Sequence, residues 1–203
     1  MGLLKSIKGM RYLTDAMHNK EKKEKFKQAK QEKEVDIFES PDIYFLRMEE
    51  KAGMFGKRSF TITNPTGDIV YTARKSRTFK HPIFHLYDNN DNEVGLVKPT
   101  WSLYKPLFNI ETFAKSYTLK QTTVAKNMYE LEDCGWQIQS QIGKTIVCDK
   151  KWTKIIQIEW ENTTLSNRGQ TDVYKVKMQN EQHQTIALLL ALAIYISRRP
   201  EYQ

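Results

Sequence analysis

Cysteine is nearly absent from this 203-residue chain: Cys134 and Cys148 stand alone, with no C-x-x-C pair. That argues against a disulfide framework or a cysteine-built metal centre, and for two buried thiols in a reducing compartment. Histidine is equally sparse. His81 and His85 share one face of an expected strand but complete no ligand set, while His183 falls in the expected first turn of the last helix as packing. There is no G-x-S-x-G, P-loop or G-x-G-x-x-G element, so nothing nominates a nucleophile or a phosphate cradle. Glu49-Glu50 and Glu159/Glu161 read as strand surface residues rather than as an acid–base pair. The run Asp88-Asn-Asn-Asp-Asn-Glu93 invites comparison with a calcium loop, but the required glycine would fall on Glu93 and the closing bidentate acid on Pro99. A hairpin turn accounts for it better. No catalytic residue, metal site or cofactor is expected, and the chain reads as a non-enzyme.

Long apolar runs are also missing, with one short exception. Ile186 to Ile196 is apolar or aromatic throughout, eleven residues that as a helix cover about 16 Å, half of a hydrocarbon core. No transmembrane span is expected. Near the start, Lys5, Lys8 and Gly9 interrupt the apolar residues and leave no signal-peptide core, so a cytoplasmic address is expected. The 186–196 run has no polar face at any period and must be surrounded by the rest of the protein. Ala and Leu dominate it, Asn180 suits an N-cap, and Arg198 and Arg199 precede a stop at Pro200. A buried helix over about 181–199 follows.

From Ile43 onward the hydrophobic period is two. Strands are expected at 43–50, 58–64, 69–74, 78–87, 93–98, 101–105, 107–113, 115–120, 128–133, 135–140, 144–149, 153–160 and 172–178, separated by short turn signals. A weak repeat runs through them. Phe60-Thr-Ile62-Thr-Asn64 through Val70 aligns with Phe84-His-Leu86-Tyr-Asp88 through Val94, and more loosely with Trp136-Gln-Ile138-Gln-Ser140 through Val147. The unit is a β-hairpin.

The net charge is +8, and residues 1–35 hold ten Lys/Arg against five Asp/Glu, leaving 22 against 19 elsewhere. The main domain therefore offers no obvious net field. Residues 3–17 place Leu3, Leu4, Ile7, Met10, Leu13 and Met17 at helical spacing with Lys5, Lys8 and Arg11 between them. Such a basic amphipathic helix suits an anionic membrane surface, Leu3, Leu4 and Ile7 inserting and Lys5, Lys8 and Arg11 meeting phosphates. It equally suits docking on a protein partner or on its own domain. The opening Met-Gly-Leu-Leu-Lys-Ser also fits the permissive N-myristoylation pattern. Residues 18–36 form a charged spacer with little to bury, and their interspersed acids disfavour nucleic acid. Inside the domain, Lys57, Arg58, Arg74, Lys75, Arg77 and Lys80 form the densest basic group, a candidate for phosphates of a lipid headgroup or for edge-strand protection.

Successive hairpins ending in one wholly apolar helix have an economical solution in which the strands close into a barrel and the helix threads it. On the hairpin units Ser59–Lys75 and Ile83–Lys98, the strand Trp152–Trp160 and the 186–196 helix, the chain resembles the tubby C-terminal-like superfamily. The closest likeness is to its LURP-one-related and phospholipid scramblase branch. The resemblance covers about residues 40–199. It implies a mainly β protein, a closed antiparallel barrel (39–203) enclosing a hydrophobic C-terminal helix; the basic helical segment (1–38) read above precedes it. It further implies a binding protein that acts on phospholipid, and with the basic segment an address peripheral at the inner face of a membrane is expected, with anionic phospholipid or a protein as partner. The calcium-binding segment of scramblases has no acidic counterpart beside this helix.

Overall fold

A computed structural model describes residues 44–52, 58–76, 82–100, 107–122, 127–164 and 170–199. Twelve strands follow in order: β1 (Tyr44–Ala52), β2 (Arg58–Thr63), β3 (Ile69–Lys75), β4 (Phe84–Asp88), β5 (Glu93–Thr100), β6 (Leu107–Thr112), β7 (Ser116–Gln121), β8 (Met128–Leu131), β9 (Trp136–Gln141), β10 (Lys144–Cys148), β11 (Lys154–Thr164) and β12 (Gln170–Met178). Each pairs antiparallel with its chain neighbours. The β1–β12 ladder, from Tyr44 opposite Met178 to Glu49 opposite Val173, closes the barrel. Closure leaves no unpaired sheet edge, so the edge-protection role weighed for the 57–80 basic group has no edge to serve.

Period-two alternation sends Phe60, Ile62, Phe84, Leu86, Phe108 and Ile110 inward, where they meet the helix. Asn180 Oδ1 accepts from the Gln182 N–H and caps a 3-10 turn, Glu181–His183, that leads into α1 (Gln184–Arg198). The last helix is therefore shorter at its start than expected, and His183 sits in the turn before it. Every residue of α1 from Ile186 to Ile196 is buried, so the helix is the barrel's core. It runs close to β5: a Cβ on Gly95 would lie 2.6 Å from the Glu111 carbonyl and 2.9 Å from Leu189 Cδ1. Only glycine fits there. Cys134 and Cys148 are free thiols; Cys148 is buried, as expected, whereas Cys134 is only partly buried.

The expected strands are found with small shifts in bounds, apart from 101–105, which lies outside the described residues, and 78–87, of which 78–81 lie outside them and the strand begins at Phe84; residues 1–43 lie outside them too. The repeat is stronger than its sequence. In β2–β3 and β4–β5 the ladder shifts register two residues before the turn, at Ile62/Thr63 and Leu86/Tyr87. The turn residue, Asn64 or Asp88, then accepts through its side-chain oxygen from backbone N–H groups two and four residues on. Three residues on comes a positive φ, Gly67 at 92° and Asp91 at 65°. A third copy exists at β10–β11: a shift at Val147/Cys148, Asp149 accepting from Lys151 and Thr153, and Trp152 at φ 65°. The looser unit expected at 136–147 is a hairpin too, but it turns through Gly143 without this cap. Asp88 thus spends its oxygens on its own turn, and the side-chain hydrogen bond from Asn92, with backbone N–H groups, lowers its pKa. That is how a hairpin Asx turn behaves rather than a calcium loop.

Candidate functional site

With the interior filled, chemistry is left to the two ends of the barrel. In a meander alternate connections fall at the same end, so the registers sort the chain into two sets. One end is where α1 begins: Tyr71 OH donates to Gln184 Oε1, and Trp136 meets His183 edge-on at 5.1 Å. The other is where α1 leaves.

At the leaving end, Glu50 is only 4% exposed, which overturns its reading as a strand surface residue. Its Oε1 accepts from Arg58 Nη1 (2.5 Å) and Tyr195 OH (2.8 Å); its Oε2 accepts from Arg199 Nη2 (3.0 Å) and the Asp172 N–H (3.2 Å). Asp172 accepts from Tyr174 OH and pairs with Arg199 at 3.3 Å. Burial opposes the Arg58 charge, yet the neighbouring Tyr195 and Glu50 outweigh it and raise its pKa. Burial raises the Tyr174 pKa as well. The cluster bolts the helix terminus to β1, β2 and β12, and Arg198 and Arg199 oppose the negative end of the helix dipole. Beside it lies a cleft of about 470 Å³ bordered by Gln141, Ile142, Trp160 and Arg198, with the Arg198 guanidinium 4.5 Å from the Trp160 ring centroid. Ile142, at the hairpin tip, is fully exposed.

Charge is uneven where α1 begins. There the connections 64–68, 89–92, 113–115, 132–135, 149–153 and 179–183 hold Asp68, Asp91, Glu132, Asp133, Asp149 and Glu181 against three lysines. Where α1 leaves, the described strand and helix ends mix both signs, Lys51, Arg58, Lys75, Arg198 and Arg199 with Glu50 and Asp172. The balanced total of the domain conceals the acidic excess of the first end.

Of the candidate phosphate ligands, Arg58 turns inward to Glu50, and Arg74 reaches Asp91 at 2.6 Å while lying 4.7 Å from the Tyr87 ring centroid. Ser59 faces Arg74 across the β2–β3 ladder, so Arg58 and Lys75 close neighbouring strands at the end where α1 leaves. Lys57, Arg77 and Lys80 lie outside the described residues, as do Leu3, Leu4, Lys5, Ile7, Lys8 and Arg11. Sequence reasoning missed Glu50, Asp172 and Arg199; the signal available was a carboxylate at an inward-facing position of the period-two pattern.

The second cleft, about 510 Å³, opens where α1 begins, between the β6–β7 and β8–β9 hairpins and the 179–183 connection. Tyr117, Trp136, His183 and Ile186 line it and Phe113, 98% exposed, stands at its rim. Burial lowers the His183 pKa and raises that of Cys134 in its wall. Among the described residues no group of His, Cys, Asp and Glu could hold a metal ion, and no helix is long and apolar enough to cross a membrane.

A closed barrel with its own apolar C-terminal helix for a core defines the tubby-like class of fold. The chain belongs to the LURP-one-related family, whose model matches residues 45–197. Among solved structures, the X-ray structure of a protein from Arabidopsis thaliana is similar, at 15% identity and a TM-score of 0.49, over 76% of this chain and 92% of that one. No curated protein matches the chain.

Proposed function

We propose that the protein is a non-enzymatic binding protein that associates with anionic phospholipid at the inner face of a membrane. The basic segment 3–17 inserts, and basic residues where α1 leaves the barrel add attraction. The observation that carries this reading is that end of the barrel, where Lys51, Lys75 and Arg198 stand with the exposed apolar tip Ile142. Each Lys or Arg held near an anionic surface contributes about 1 kcal/mol. Insertion of Leu4 and Ile7 supplies the apolar part, so Leu4→Asp with Ile7→Asp lowers binding to anionic vesicles roughly a hundredfold or more in co-sedimentation. The barrel of that variant still unfolds cooperatively, because both residues precede β1. Unchanged pelleting removes the segment from the function.

A further inference from the structure

The cleft where α1 begins is mainly apolar and is covered by nothing among the described residues. Phe113 projects from the β6–β7 hairpin into solvent beside Tyr117 and Trp136. Glu132 and Asp133 precede Cys134, and Glu181 precedes Gln182, in two of the connections whose residues line it. Asp133 Oδ2 accepts from the Thr118 N–H, its carbonyl accepts from Lys115 Nζ at 3.3 Å, and Glu132 pairs with Lys120, whereas Glu181 has no cationic side-chain partner among the described residues. An aromatic floor beside connections that carry carboxylates suits a basic amphipathic helix laid apolar face down.

The chain carries such a helix pattern and delivers it to this end. Tyr44, the first described residue, lies opposite Met178, immediately before the 179–183 connection that walls the cleft. Residues 18–43 separate it from the 3–17 segment, a tether that even at a helical rise of ~1.5 Å per residue spans about 39 Å. Reach is not limiting, and tethering raises the local concentration of the segment to about the millimolar range. Its apolar row, Leu3, Leu4, Ile7 and Met10, matches the cleft's chemistry; Lys5, Lys8 and Arg11 match the carboxylates of those connections.

We infer that residues 3–17 dock in this cleft of their own barrel, apolar row against Tyr117, Trp136 and Phe113, and lysines toward Glu132, Asp133 and Glu181. The docking stands whether or not the same face also meets a membrane, so the two readings fail separately. The test uses the full-length chain without lipid. Amide exchange across 3–17 is slowed roughly tenfold relative to the Phe113→Asp variant, whose change lies on an exposed side chain and leaves the fold alone. Carbodiimide coupling joins Lys5 or Lys8 to Glu132, Asp133 or Glu181 within one chain, at a yield independent of dilution, as mixed light and heavy protein reports. Exchange in 3–17 that ignores Phe113→Asp overturns the inference. Coupling found only between copies, which would seat a second molecule in the cleft, or only to carboxylates elsewhere on the barrel, overturns it as well.

Discussion

Glu50→Gln destabilises the barrel by about 3 kcal/mol, read as a shift in urea midpoint at unchanged slope. The carboxylate is an acceptor shared by Arg58, Arg199 and Tyr195, and it also holds the Asp172 N–H. Removing its charge leaves two guanidiniums, with side chains 31% and 19% exposed, without the carboxylate they share, while Asp172 still pairs with Arg199. Their remaining solvent keeps the cost at the low end of the range for a broken buried pair. By contrast, the Lys98–Glu111 pair, more than a third open to solvent on each side, is worth below about 1 kcal/mol, and Glu111→Gln serves as the control. A Glu50→Gln effect no larger than the control contradicts the role given to the cluster.

Alanine at Leu188, Leu189, Leu190 or Leu192 costs about 2–5 kcal/mol at each position. A helix on a surface would show losses on one face and near-neutral positions on the other, every three or four residues. This helix has no other face, because all of these leucines are fully buried within the barrel. Leu190→Asp, which places a charge in that core, leaves no cooperatively folded protein. Chemical unfolding of the four alanine variants checks the point; any one of them near neutral would mean that part of α1 faces water.

The helix was legible in the sequence because a run with no polar face can only be surrounded. The strands were legible because their buried sides alternate. The hairpin repeat at Phe60 and Phe84 was visible as spacing, whereas its third copy at Asp149 was not. What recurs there is backbone geometry, a register shift and a left-handed residue that Gly67, Asp91 and Trp152 satisfy with unrelated side chains. Glu50 was misread because a lone carboxylate beside Glu49 looks like surface until Arg58 and Arg199, one 8 and the other 149 residues away, are brought to it by closure. The acidic excess where α1 begins was hidden in the totals. It emerges only when connections are sorted alternately, as an antiparallel meander sorts them, and then six acids face three lysines at that end.

The proposed function rests on the end where α1 leaves, and co-sedimentation of the full-length chain with anionic vesicles at moderate salt reads it directly. Lys51→Gln with Lys75→Gln, at the end where α1 leaves, lowers binding roughly tenfold or more, while Lys150→Gln with Lys151→Gln, at the opposite end, leaves it nearly unchanged. Equal losses from the two pairs, or no loss from the first, would contradict the account.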